Sequence, residues 1–247
     1  MSKFQCRYIL YETMDVGGTD NQTNNSRITV LPERAKIILL PYNLSQYYLS
    51  SGLFEKNLIE WSKQFCDKQK IMLDIGAHTG TYAINLSSYS KKVVCFEPQK
   101  STYYALCGSI SLSNLSNVID CHHIGLGNIN QVGKQTLYIT SEDGGGSSLI
   151  QCNQENISME TVEIRTLDSF QLDNIGFIKM DVEGNEYNIL EGAKETLIKS
   201  NYPTILFESN TPLTNNSTLV VLFKELHYNI HPINGYANMF LASSQQT

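Results

Sequence analysis

From Leu53 onward the apolar positions alternate between helical and strand periods. Phe54, Leu58, Trp61 and Phe65 repeat at helical spacing and predict a helix over 52–68. Lys70 to Asp74 is a short apolar run and reads as a first core strand. Tyr82, Ala83, Leu86 and Tyr89 mark a second helix face, and Val93 to Phe96 a second buried strand. A helix over 100–112 and a strand over Val118 to Ile124 follow. The run Phe177 to Met180, the helix face Tyr187, Leu190, Ala193 and Leu197, the run Pro203 to Phe207 and a helix near 216–227 repeat the alternation.

Two stretches depart from it. Residues 126–166 hold two alternating runs, Gln135 to Thr140 and Thr161 to Thr166, separated by Asp143-Gly-Gly-Gly-Ser-Ser148. They predict an antiparallel excursion with a flexible loop between its strands. At the C-terminal end, Tyr228 to Ile233 and Tyr236 to Leu241 flank Asn234-Gly235, the signature of a type I′ hairpin. Upstream, 14–26 is polar and loop-like, and the apolar runs 27–31 and 36–40 around Pro32 predict a short hairpin. Strands alternating with helices imply right-handed crossovers and a mostly parallel sheet. The organisation expected is an N-terminal extension over 1–50, part of the same unit, and an α/β domain over 51–247.

Composition narrows the partners. A chain of 247 residues supports one sizeable core, and 41% apolar with 17% charged residues is ordinary for a globular protein. The net charge of −6, with no run of Lys or Arg, makes nucleic acid and an anionic membrane poor partners. Met1 to Leu10 lacks the apolar stretch of a signal peptide, and no run reaches transmembrane length. The six cysteines (6, 66, 95, 107, 121 and 152) form no Cys-x-x-Cys pair. They read as buried free thiols in a reducing compartment, so the expected location is cytoplasmic.

The candidate chemistry gathers at strand ends. Leu73-Asp-Ile-Gly-Ala-His-Thr-Gly80 closes a strand and opens a helix, with Gly76 and Gly80 allowing close backbone approach to a ligand. A diphosphate would be repelled by Asp74, whereas a sulfonium or ammonium would be attracted. Glu97 ends the next strand, 23 residues after Asp74, where a carboxylate accepts hydrogen bonds from ribose hydroxyls. Phe177-Ile-Lys-Met-Asp-Val-Glu-Gly184 delivers Asp181 and Glu183 to the same sheet edge. There a carboxylate can take a proton from an acceptor hydroxyl or orient it. Asp181 and Glu208 are alternatively suited to a divalent cation, and either strand-end acid can instead cap a helix or pair with Lys179. An NAD-type oxidoreductase would need three loop glycines and a Tyr-x-x-x-Lys constellation, neither of which is present. A non-catalytic nucleoside-binding module is the third reading. His122, His123, His227 and His231 read as core or surface residues, and the pairs Tyr47-Tyr48 and Tyr103-Tyr104 as packing.

Asp74-Ile-Gly-Ala-His-Thr-Gly80, Glu97-Pro98, Thr166-Leu-Asp168, Ile178-Lys-Met-Asp-Val-Glu-Gly184, Leu190-Glu-Gly192 and the strand ending in Glu208 occur in this order. Over about Ile71 to Glu208 the chain resembles the FkbM family of methyltransferases. The resemblance implies a Rossmann-like class I methyltransferase fold, with a mostly parallel seven-stranded sheet and a C-terminal antiparallel hairpin. It implies S-adenosylmethionine as cofactor and an acceptor hydroxyl on a sugar, a glycan or a similar small molecule. By the same resemblance Asp74, Gly76, Ala77 and Gly80 line the methionine end, Glu97 with Pro98 the ribose, and Ile124 with Gly125 the adenine. Asp181 and Glu183 face the transferred methyl. Ser147 and Ser148 lie near the acceptor, with Glu208 beside them. His78 departs from the residue usual in the loop.

Overall fold

The computed structural model describes residues 9–12, 36–40, 52–141, 144–151 and 157–244. The loop predicted over 14–26, the run 27–31, the pair Tyr47-Tyr48, Asp143, Cys6 and Cys152 lie outside the described residues.

Strands β1 (Ile9–Glu12) and β2 (Lys36–Leu39) pair antiparallel, Ile9 opposite Leu39 and Glu12 opposite Lys36. The 36–40 run is thus paired with 9–12, and its expected hairpin partner, 27–31, lies outside the described residues. Helix α1 (Lys56–Ser62) continues into a 3-10 turn at Lys63–Phe65. Then come β3 (Ile71–Ile75), α2 (Thr81–Leu86), β4 (Lys92–Phe96), α3 (Lys100–Leu112) and β5 (Ile119–His122). A small sheet is inserted here, made of β6 (Gly125–Leu126), β7 (Gly133–Ile139) and β8 (Ser158–Arg165). The alternation resumes with β9 (Ile175–Met180), α4 (Glu186–Glu191), α5 (Lys194–Lys199), β10 (Thr204–Glu208) and α6 (Thr218–Glu225). It closes with β11 (Tyr228–Pro232) and β12 (Met239–Ser244).

The main sheet has seven strands in the order β11-β12-β10-β9-β3-β4-β5. Neighbours from β5 to β10 run parallel, while β12 is antiparallel to both β10 and β11. Strands buried on both faces must be apolar throughout, as Ile71-Met-Leu-Asp-Ile75 almost is. Its alternate residues feed two cores. Met72 packs with Leu58, Ala83 and Leu106 of α1–α3 on one face, and Leu73 with Ile189, Leu197 and Phe223 of α4–α6 on the other. Each such large apolar side chain, fully buried, contributes about 1.5–3 kcal/mol. β7 and β8 instead alternate buried and exposed residues and pair antiparallel, Gly133 opposite Ile164 through Ile139 opposite Ser158.

Two turns differ from expectation. The helix predicted through Tyr187, Leu190, Ala193 and Leu197 is broken at Gly192. A Cβ there would meet the Gly127 carbonyl oxygen at 2.1 Å, and the Gly192 carbonyl accepts from Asp168 N at 2.9 Å. The Asp168 carboxylate then caps the new helix, accepting from Thr196 N at 2.8 Å and Thr196 Oγ1 at 2.7 Å. The terminal hairpin is closed by the loop 233–238, across which Ile233 N donates to Met239 O at 3.0 Å. Tyr236 N donates to Ile233 O at 3.1 Å, Gly235 has φ +86°, and Asn234 stays at negative φ, so the type I′ geometry does not form.

Extension and domain pack together through α3. Lys36 N donates to Ser113 Oγ at 2.8 Å and Ile38 N to Ser109 Oγ at 2.9 Å. Cys66, Cys95, Cys107 and Cys121 are free thiols, and of these Cys95 alone is fully buried, which corrects the expectation that all are. No helix among the described residues is long and apolar enough to cross a membrane.

Candidate active site

From β3 the chain steps outward to β4 and β5, then returns through β9 and β10 on the other side. The strand order thus reverses between β3 and β9, the place where open α/β sheets bind ligands. A cavity of about 370 Å³ lies there, at the C-terminal strand edge.

Its floor is the loop after β3. Gly76 N and Ala77 N donate to Phe96 O at 3.0 and 3.2 Å, and Asp181 N donates to Ile75 O at 3.0 Å. Gly76 has φ +74°, and a Cβ on it would sit 1.8 Å from the Asp181 carbonyl oxygen. Only glycine fits so close an approach. Glu97, 6% exposed, is the hub of the next loop. Its Oε2 accepts from His78 N at 2.8 Å, and its Oε1 from Gln99 N at 2.9 Å and Thr102 Oγ1 at 2.8 Å. The carboxylate is thereby fixed at the cavity wall, beside Pro98, Ile124 and Gly125.

The opposite wall is ionic. Lys179, 5% exposed, donates to Asp181 Oδ2 at 3.2 Å and to Gly76 O at 3.3 Å, and stands 5.2 Å from the centre of the Tyr82 ring. Tyr82 in turn donates to Glu55 Oε2 at 2.7 Å. Burial works against the Asp181 carboxylate, yet the Lys179 ammonium holds it below the ordinary value. Glu208 beside it is pushed up to about 8, by burial first and then by the Asp181 charge. Burial also raises Glu183, whose Oε2 accepts from Asn210 Nδ2 at 2.8 Å. Asp181, Glu183 and Glu208 each place an oxygen within 4.8 Å of the others, a hard donor set of the type that suits a divalent cation.

Most of the sequence-predicted residues converge here: Gly76, Ala77, His78, Glu97, Pro98, Ile124, Gly125, Ser147, Asp181, Glu183 and Glu208 all line the cavity. Three do not. Asp74 is fully buried beneath the loop, its Oδ2 accepting from Ala83 N at 2.9 Å and its Oδ1 without a partner. Burial raises its pKa to about 6. Asp74 is not among the residues that line the cavity. Gly80, at φ +95°, turns the chain into α2 from behind, where a Cβ would meet Leu106 Cδ1 at 2.8 Å. Ser148 pairs with Tyr138 of β7 and donates through Oγ to Glu183 O at 2.7 Å, so it props the loop of Asp181 and Glu183. Ser147 Oγ donates to Gln99 Oε1 at 2.7 Å, tying the glycine-rich loop to the Glu97 loop.

Sequence reasoning missed Glu55, Tyr82 and the depth of Lys179. Tyr82 read as a helix-face packing residue, and Glu55 lies on an element whose docking no local pattern reveals. A lysine inside an apolar strand run was the one available signal. Three of the other histidines pack: His122 stacks on Phe96, His123 on Tyr103, and His227 meets Tyr202 edge-on, while His231 is exposed.

Strand order, reversed last strand and a glycine-floored crevice define a Rossmann-like class I methyltransferase fold. The family described as Methyltransferase FkbM domain matches residues 74–231, and the chain belongs to that family. Among solved structures the chain is similar to methyltransferase FkbM from Methylobacillus flagellatus KT, at 19% identity and TM-score 0.47, over 79% of this chain and 46% of that one. The chain thus spans less than half the length of that protein. It is also similar to precorrin-6y C5,15-methyltransferase from Geobacter metallireducens GS-15, at 10% identity and TM-score 0.47, over 79% of this chain and 92% of that one. SMU.1697c from Streptococcus mutans, solved in complex with SAH, shares 16% identity with TM-score 0.47, over 76% of this chain and 97% of that one. No curated protein matches the chain.

Proposed function

We propose that this protein is an S-adenosylmethionine-dependent O-methyltransferase acting on a hydroxyl of a sugar, a glycan or a similar small acceptor. The observation that carries the reading is one cavity holding Glu97 at the end of β4 and Asp181 with Glu183 after β9. The residues present suit that cofactor. The bare Gly76 backbone leaves room at the floor, and Glu97 offers a fixed acceptor to vicinal hydroxyls. When bound, S-adenosylmethionine supplies an electrophilic methyl group.

The chain's own residues divide the remaining work. Asp181, kept anionic by Lys179, is a weak base and a good acceptor for orienting a hydroxyl. Glu183 is the stronger base because burial raises its proton affinity, and it is held at the cavity by Ser148 and Asn210. Glu208 carries the proton of the pair it forms with Asp181 and serves as a clamp on the acceptor side. Alignment of the acceptor between these acids supplies much of the rate. Five carboxyl groups against Lys179 favour a small acceptor over nucleic acid. The oxygen set of Asp181, Glu183 and Glu208 also suits a divalent cation, and turnover before and after chelation tests whether one takes part.

The test is calorimetric titration with S-adenosylhomocysteine, beside a Glu97→Ala control. Micromolar binding by the wild type, lost in the control, supports the cofactor and opens an acceptor screen among deoxysugars and glycans. A folded wild type that does not bind it overturns the reading.

A further inference from the structure

A second depression, of about 410 Å³, lies between α1 and the β11–β12 turn. We propose that it is a subsite for a second, neutral sugar unit of the acceptor, a proposal that rests on the sugar-acceptor reading above.

Position is the first argument. β12 starts with Met239 opposite Glu208, so the turn before it stands on the same sheet edge as the catalytic cavity. That turn is wired to the catalytic loop: Ser209 N donates to Asn238 O at 2.9 Å, Asn238 Nδ2 to Asn210 Oδ1 at 3.1 Å, and Asn210 Nδ2 to Glu183 Oε2 at 2.8 Å. The start of α1 separates the two spaces. Glu55 lines the catalytic cavity, while Asn57 lines the depression, two residues further on and about 3 Å along the axis. An acceptor reaching beyond the cavity on this side meets the depression next.

Chemistry is the second argument. Trp61, the only tryptophan of the chain, is 37% exposed and lines the depression with Tyr236. Asn57 and Trp61 are four apart on α1 and therefore share a face. Asn57 and Asn234 add neutral donors and acceptors, with His231 beside them, over an apolar floor that includes Leu58 and Leu241. Among the described residues no Asp, Glu, Lys or Arg lines it, in contrast to the acid-rich cavity next door. An aromatic face edged by amides suits a pyranose, which presents C–H groups on its faces and hydroxyls on its rim.

The single tryptophan makes the test direct. Maltose, cellobiose and N,N′-diacetylchitobiose are titrated into the wild type while Trp61 emission is followed. At least one should give a saturable change, with affinity lowered about fivefold in both Asn57→Ala and Tyr236→Ala. No saturable change with any of the three overturns the subsite, and so does an affinity that both variants leave untouched. Calorimetry with S-adenosylhomocysteine on the same samples shows each variant to be folded. It also separates the two failures: cofactor binding without sugar binding removes the subsite, and sugar binding without cofactor binding removes the methyltransferase reading.

Discussion

The carboxyl oxygens of Asp181 and Glu208 lie within 4.8 Å of each other, and so close a pair favours the protonated form of one of them. Lys179 decides which. Its ammonium lies 3.2 Å from Asp181 Oδ2, so Asp181 keeps the charge and Glu208 the proton. This end of the cavity therefore holds a fixed anion, a carboxyl of raised proton affinity in Glu208 and another in Glu183.

The pair predicts a pH dependence. Glu208 rises from 4.5 to about 8 on folding, so its contribution to stability is complete below 4.5 and is lost as pH climbs through 8. Glu208→Gln removes that loss. The variant should gain thermal stability on the wild type as pH rises across this window, as melting curves read at successive pH values would show. A constant difference between the two would refute the raised proton affinity of Glu208.

Asp181→Asn keeps an oxygen for Lys179 but removes the fixed anion. Turnover should fall about a hundredfold or more while the affinity for S-adenosylhomocysteine stays close to that of the wild type. Equal turnover in single-turnover assays would take Asp181 out of the mechanism.

Gly76 and Gly235 both have positive φ, +74° and +86°, but differ in surroundings. Gly235→Ala meets nothing within 4 Å and should cost about 1–2 kcal/mol, the backbone penalty alone. Gly76→Ala adds a Cβ 1.8 Å from a backbone oxygen, and should abolish cofactor binding or folding. Denaturant melts of the two variants compare the effects, and equal losses would contradict the close approach at Gly76.

Asp74 lies fully buried beneath the loop, outside the cavity lining. Asp74→Asn keeps an acceptor for Ala83 N, so cofactor affinity should change less than about threefold, against its loss in Glu97→Ala. Because burial raises Asp74 from 3.8 to about 6, its contribution to stability fades as pH rises through 6, and the variant should gain on the wild type over that interval. A large loss of affinity on calorimetry would restore Asp74 to the cofactor site.

The sequence by itself determined the sheet. Runs such as Val93 to Phe96 and Phe177 to Met180 are apolar throughout because both faces of a parallel strand are covered, and that requirement is local enough to read. It also placed Gly76, Glu97, Asp181 and Glu183 at strand ends, since a strand delivers whatever follows it to one edge. Tertiary structure alone decided what each acid does. Asp74 and Asp181 both follow apolar strand residues, yet one faces a helix N–H and the other a buried ammonium. The break at Gly192, where a Cβ would press on the Gly127 carbonyl, and the approach of Glu55 to Tyr82 likewise arise between segments far apart in the chain. Such contacts depend on how elements dock, and periodicity along one element carries no information about its neighbour.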